Sequence, residues 1–270
     1  IGTFKAATFD ELFEGTKSLN WEDYIPADAK FNVVKAASIK SALFSPSDIQ
    51  SIMKKAMVER MKEHYAVSWF EETGAKFPVR VFIKNDIVTV GLDTTSESLH
   101  KRGYRKLTAK APIAENLAAA IILLTPWKKD RILVDPFCGS GTFCIEAALM
   151  AAHIAPGINR DFLSQKWTHI IKPGLWYETV SEAHDLEEPR AEKGIQGYDI
   201  DDRSIKIARH NAQAANVDGL IHFQQRDVKD LSHPKKYGFI ITNPPYGERM
   251  EEKEHLPELY RTFGERFRAL

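Results

Sequence analysis

The sequence predicts an α/β domain built on a parallel sheet, preceded by a smaller α+β module. Three observations carry that expectation. From about residue 131 onward, strand-like and helix-like segments alternate, the pattern of repeated βα units. Before residue 98, short alternating runs surround one long helical pattern without such a rhythm. The 270 residues are enough for two hydrophobic cores.

In residues 1–98, "IGTFKAAT" and "KFNVVKAASI" alternate like strands. "SPSDIQSIMKKAMVERMKEHY" repeats Ile49, Ile52, Met53, Ala56, Met57 and Met61 at helical spacing, with Ser47 or Asp48 as its cap. "FPVRVFIKNDIVTVGLDTT" holds two strands, Val79–Ile83 and Ile87–Leu92, turned through Lys84-Asn85-Asp86 into a hairpin. The polar, basic run "SESLHKRGYRKLTAKAP" leads into residues 99–130, where Pro112 opens a helix rich in alanine and leucine. Residues 131–270 then run in order: strand "RILVDP", helix "GTFCIEAALMAAHI", an irregular stretch from 155 to 193, strand "GIQGYDID", helix "RSIKIARHNAQAAN", and strands "LIHFQQRD" and "YGFIITNPP". The chain begins without a methionine and stops at Leu270 inside an amphipathic helical pattern, which reads as a fragment of something longer.

Composition narrows the classes. Hydrophobic residues make up 43% and charged residues 27%, as in soluble globular proteins. Lys plus Arg equals Asp plus Glu at 37 each, so no global basic field advertises a nucleic-acid binder, and any such surface must be local. Cys138 and Cys144 are the only cysteines, too few for a disulfide framework or a four-ligand zinc site. A reducing, cytoplasmic compartment follows, with no metal expected. No apolar run approaches the roughly 20 residues of a membrane span.

The chemistry sits at the predicted strand ends. In "ILVDPFCGSGTFCIEAA" a hydrophobic strand ends at Asp135 and a glycine turn leads into a helix. Gly139 and Gly141 permit positive φ and close approach of a ligand to the backbone. The third glycine of a dinucleotide fingerprint is missing, with Ile145 in its place. The next strands end in "GYDID" and "QRDV", placing Asp199 or Asp201, and then Asp227, along one edge. Acidic groups there accept hydrogen bonds from a ribose diol or an adenine amine, which suits a nucleoside without phosphates; the alternative is helix capping. At the fourth strand end, "NPPYGER" offers the Asn243 side-chain carbonyl and the Pro244 backbone carbonyl to one exocyclic NH₂ group. Two acceptors would aim that amine's lone pair and stabilise the positive charge developing on it. Pro244 and Pro245 stiffen the turn, and Tyr246 can stack on a base. The basic junction, with Lys101, Arg102 and Arg105 for phosphates and Tyr104 for stacking, reads equally as an RNA contact or a solvated linker.

Taken together, "DPFCGSG", "YDID", "QRD" and "NPPYGER" resemble the Rossmann-like class I S-adenosylmethionine-dependent methyltransferases that modify exocyclic amines. With "SLHKRGYR…APIAENLAAAI" added, the chain is similar over nearly its whole length to the THUMP-domain RNA methyltransferases, nearest to the RlmL-type guanine-N2 methyltransferases of large-subunit ribosomal RNA. Such proteins often carry the generic label of adenine-specific DNA methylases. The resemblance implies that residues 1–98 are a THUMP-type RNA-binding domain and 131–270 a methyltransferase domain lacking its last strands. It implies S-adenosyl-L-methionine as donor, with S-adenosyl-L-homocysteine as product, and RNA, 23S ribosomal RNA in particular, as partner. Ala111, Pro112, Asp135, Pro136, Phe137, Gly139 and Gly141 would surround the donor. Asp199, Ile200 or Asp201 would hold its ribose, Asp227 and Val228 its adenine, and Asn243 to Tyr246 the target amine. The stretch from 155 to 193 would be an insertion beside the substrate. Guanine and adenine both offer an NH₂ group, so the residues leave guanine N2 in RNA and adenine N6 in RNA or DNA open, with a catalytically silent RNA-binding protein as the other alternative.

Overall fold

The computed structural model describes residues 1–107, 112–188, 194–234, 237–247 and 250–269, without the side chains of 250–254. The chain forms two compact units.

The first unit comprises Ile1–Ser96 together with Asp161–Trp176. Its four-stranded sheet has β1 (Gly2–Lys5), β4 (Ile87–Leu92), β3 (Lys76–Lys84) and β2 (Lys30–Ile39) in that spatial order. β4 is antiparallel to β1 and β3, and β2 runs parallel to β3 with an irregularity between Val33 and Lys35. The expected hairpin turns at Asn85 and Asp86, both at positive φ, as asparagine and aspartate tolerate. Helix α2 (Pro46–Tyr65) buries Ile49, Met53, Ala56, Met57 and Met61 along one stripe, as its spacing requires. Strand β1 stops at Lys5, short of the Thr8 to which the sequence reading carried it, and helix α1 (Phe9–Lys17), absent from that reading, follows. Thr8 Oγ1 accepts from the Glu11 amide at 3.2 Å, and Glu11 accepts from the Ala7 and Thr8 amides. This capping box satisfies the helix's free donors and stops the strand.

Residues 161–176, which lie inside the stretch 131–270 expected as the second domain, are part of this unit. The cause is Trp167. It is 3% exposed, stacks on Phe77 with ring centroids 4.6 Å apart, and donates from Nε1 to the Lys76 carbonyl at 3.0 Å. A large aromatic that completes a core is held there by burial and by its one polar atom finding a partner. Part of the stretch expected beside the substrate thus serves this core.

The second unit comprises Glu97–Arg160 and Tyr177–Leu270. Its parallel sheet has the order β7 (Ile221–Gln225), β6 (Ile195–Asp199), β5 (Leu133–Asp135), β8 (Phe239–Ile240). Around it are α3 (Glu115–Leu124), α4 (Thr142–Ala151), α6 (Asp202–Ala214) and α7 (Met250–Ala269). α5 (Pro173–Asp185) forms within the stretch read as irregular. The chain steps from β5 to β6 to β7 in one direction, then crosses back to place β8 on the other side of β5. Such a reversal opens a crevice at the carboxyl ends of β5 and β8, the usual ligand position in a doubly wound sheet. α4 is buried on all sides from Thr142 to Leu149, hence its nearly unbroken apolar sequence.

Candidate active site

A cavity of about 380 Å³ lies at that crevice, in the size range of small-molecule sites. Its floor begins where β5 ends. Asp135 is 1% exposed, and its Oδ1 accepts from the Thr242 hydroxyl at 2.6 Å and from the Phe137 amide at 3.2 Å. Burial pushes the Asp135 carboxyl up to about 7; the two hydrogen bonds oppose the rise and the nearby Asp199 charge adds to it. Thr242, which the sequence reading passed over, thereby ties the end of β8 to the end of β5.

The glycine turn follows. Gly139 has φ +51° and Gly141 φ +84°, both in the left-handed region. No atom lies within 4 Å of where a Cβ on Gly139 would sit, and Gly139 lines the cavity, so a ligand can approach this backbone closely. Gly141 answers a different need. A Cβ there would meet Phe223 Cζ at 2.9 Å and Ala208 Cβ at 3.0 Å, so it serves close packing behind the turn.

The acidic edge divides in two. Asp199 lines the cavity, and its carboxylate accepts from the Gly139 amide and the Asp201 amide, each at 2.9 Å. Burial raises its pKa against those hydrogen bonds. Asp201 and Asp227 are not among the lining residues. Asp201 caps α6 by accepting from the Arg203 amide, and Asp227 caps a short 3₁₀ turn by accepting from the Lys229 amide. Those backbone hydrogen bonds hold both carboxyls below their ordinary values. Val228 and Pro136 are buried off the cavity wall. Pro112, Phe137 and Ile200 line the cavity, as do Ser204 and Leu259, which carried no sequence signal. Ala111 lies outside the described residues.

Asn243, Pro244, Pro245 and Tyr246 line the same cavity, with Asn243 and Tyr246 exposed. Helix α7 backs this turn. Tyr260 Oη donates to the Pro245 carbonyl at 3.0 Å, and the Phe263 ring meets the Phe137 ring edge-on with centroids 5.5 Å apart. The Pro245 oxygen is therefore occupied from behind.

Of the four junction residues expected at RNA, three turn inward. Tyr104 is 1% exposed and donates to Glu146 Oε1 at 2.9 Å, so it has no face for stacking. Arg102 pairs with the same buried Glu146 at 3.7 Å. Arg105 donates to the Ile113 carbonyl and to Thr142 Oγ1, both at 2.8 Å. Buried carboxylates in α3 and α4 draw these side chains inward, because an unpaired buried charge is costly. Lys101 alone of the four stays at the surface, paired with Glu97. Cys138 and Cys144 are buried thiols, and burial pushes both well up, which disfavours the nucleophilic thiolate. Among the described residues no cluster of His, Cys, Asp and Glu could hold a metal ion, and no helix is long and apolar enough to cross a membrane.

Residues 102–270 match the family model of the RMKL-like methyltransferase domain, and residues 6–93 match the THUMP domain. YpsC of Bacillus subtilis (strain 168), an RNA methyltransferase by name, is 46% identical over 100% of this chain and 70% of its own length. The ribosomal RNA large subunit methyltransferase K/L of Shewanella pealeana (strain ATCC 700345 / ANG-SQ1) is 35% identical over 96% of this chain. The match spans only 37% of that longer protein. The crystal structure of a possible methylase from Clostridium difficile 630 superposes with a TM-score of 0.94 at 49% identity, covering 100% of this chain and 71% of that one. SMU.472, solved with SAH bound, superposes with a TM-score of 0.92 at 41% identity and the same coverage. The chain belongs to the RMKL-like methyltransferase family, with a THUMP domain ahead of its methyltransferase domain.

Proposed function

We propose that this methyltransferase transfers a methyl group from S-adenosylmethionine to an exocyclic amine of a nucleobase in RNA, with guanine N2 of 23S ribosomal RNA as the target. The observation carrying this reading is that one cavity is lined both by the glycine turn with the buried Asp135 and half-buried Asp199, and by Asn243 to Tyr246. Asp135 and Asp199 suit a ligand that brings positive charge and hydrogen-bond donors, as a sulfonium amino acid joined to a ribose does. The open space beside Gly139 leaves room for it. When bound, the donor supplies a methyl carbon activated by the positive sulfur.

The chain's own part is to position and to polarise. The Asn243 side-chain oxygen and the Pro244 carbonyl accept the two hydrogens of the target amine, holding its lone pair on the methyl carbon. The new N–C bond forms as the C–S bond breaks, the sulfur keeps the electron pair, and the nitrogen loses one proton to solvent. The same two oxygens stabilise the charge that develops on nitrogen. Tyr246, 60% exposed, stacks on the base. The K/L relative's name supports large-subunit ribosomal RNA as substrate, and the THUMP domain supports RNA over DNA. Such a substrate supports a cytoplasmic location. Adenine N6 is the second reading, because the clamp accepts any NH₂ group.

Nucleoside mass mapping of ribosomal RNA from cells with and without the gene distinguishes the two. Loss of one N2-methylguanine supports the proposal, and an unchanged guanine pattern overturns it. Asn243→Ala should lower methyl transfer by roughly 10²–10³, the usual cost of one lost transition-state hydrogen bond. Near-normal turnover would dismiss the clamp.

A further inference from the structure

Arg105 is 13% exposed and joins three separate pieces of chain. Nη2 donates to the Ile113 carbonyl and to the Thr142 hydroxyl, both at 2.8 Å. Nε lies 3.5 Å from Oε1 of Glu115, which is buried at the start of α3, without forming a hydrogen bond. Ile113 and Thr142 both line the cavity, the first from the loop before α3 and the second as the first residue of α4.

The surrounding strap repeats this arrangement. Thr142 and Glu146 stand one turn apart on the same face of α4. Arg105 binds the first, while Arg102 and Tyr104 bind the second. Further along, the Asn211 side chain donates to the Leu107 and Ser140 carbonyls at 3.0 and 3.2 Å, securing the strap to α6 and to the glycine turn. A buried charge cluster of this kind adds little stability over apolar packing and is better suited to fixing geometry. Guanidinium suits that task because its nitrogens are held in one rigid plane, so the two donors of Nη2 keep fixed directions where a lysine ammonium rotates freely.

We infer that Arg105 is a positioning residue for the methyl-donor site: by gripping Ile113 and Thr142 together it sets the width of the cavity's edge, and with it the affinity for the donor. The inference rests on the donor reading of the cavity proposed above. The experiment measures calorimetric affinity for S-adenosylhomocysteine, together with thermal melting, for the unaltered chain, Arg105→Lys and Tyr104→Phe. Tyr104→Phe removes a hydrogen bond from the same strap that touches no cavity residue. Arg105→Lys is expected to weaken binding about tenfold, the value of one charge-assisted hydrogen bond, and to raise the donor KM more than it lowers kcat. Tyr104→Phe is expected to lower Tm and leave affinity unchanged. If Arg105→Lys does not fold, Arg105→Gln, which removes the charge and shortens the side chain, takes its place. Unchanged affinity in the Arg105 variant overturns the inference alone, as does an equal loss in Tyr104→Phe. No binding by the unaltered chain overturns the donor reading, and the inference with it.

Discussion

Asp135 carries two demands on one carboxyl group. It is buried at the end of β5, yet its place in the cavity asks for charge. With the folded-state pKa raised to about 7, the folded chain holds a proton that the unfolded chain has released above about pH 4. Its contribution to stability is therefore full at low pH and is lost as pH rises through 7. Asp135→Asn stays neutral throughout, so its Tm should fall less than that of the unaltered protein between pH 5 and 8. Parallel profiles in thermal melts would refute the assignment. At this scale much was readable: Asp135, Phe137 and Gly139 of "DPFCGSG" and Asn243 to Tyr246 of "NPPY" line one hollow, while Pro136 and Gly141 do not. The acids of "YDID" and "QRDV" were not separable, because capping and ligand binding ask for the same carboxylate at the same strand end. Only the hydrogen bonds tell Asp199, which grips the glycine turn, from Asp201 and Asp227, which close helical turns.

Among the elements, α7 matters most to the site. Tyr260 and Phe263 stand three residues apart on one face, the first against the Pro245 carbonyl and the second against Phe137. Tyr260→Phe removes a single hydrogen bond of about 0.5–1.5 kcal/mol that orients the turn from behind. Turnover should fall roughly threefold to tenfold with donor affinity unchanged, by the same free-energy arithmetic. A variant with normal kcat would show that the prolines alone hold the turn. Two helices escaped the sequence reading for different reasons. α1 announces itself through Thr8 and Glu11, a capping-box spacing that went unused beside an alternating run. α5 has no fully buried residue, so no apolar stripe marked it. The buried partners of the junction left a fainter trace. Glu146 is an isolated charge in "TFCIEAALMA", and such a residue implies a cation from elsewhere in the chain.

Across the whole molecule, the chain leaves the first unit after Ser96, re-enters it at Asp161 and leaves again after Trp176. A deletion of residues 1–96 would therefore strip Trp167 and Leu163 of the core they pack in, and would test folding before RNA binding. A point change is cleaner. Trp167→Ala should destabilise the first unit by about 3–5 kcal/mol, the cost of emptying a buried tryptophan site. In urea titrations its transition should move to lower denaturant, while S-adenosylhomocysteine affinity stays as it was. An unmoved transition would mean that the stack on Phe77 contributes nothing to that core.

The sequence by itself determined the order of strands and helices apart from α1 and α5, and the residues that reach the sheet's carboxyl edge. Those features rest on period, on glycine and proline conformation and on neighbouring side chains, all of which are local. Tertiary structure decided which acids face the cavity, that Tyr104 and Arg105 turn inward, and which core receives Trp167. Each of those outcomes depends on a partner far along the chain, such as Glu146 for Tyr104, 42 residues away. Whether a charge or a ring is buried is set by the partner that the fold brings to it.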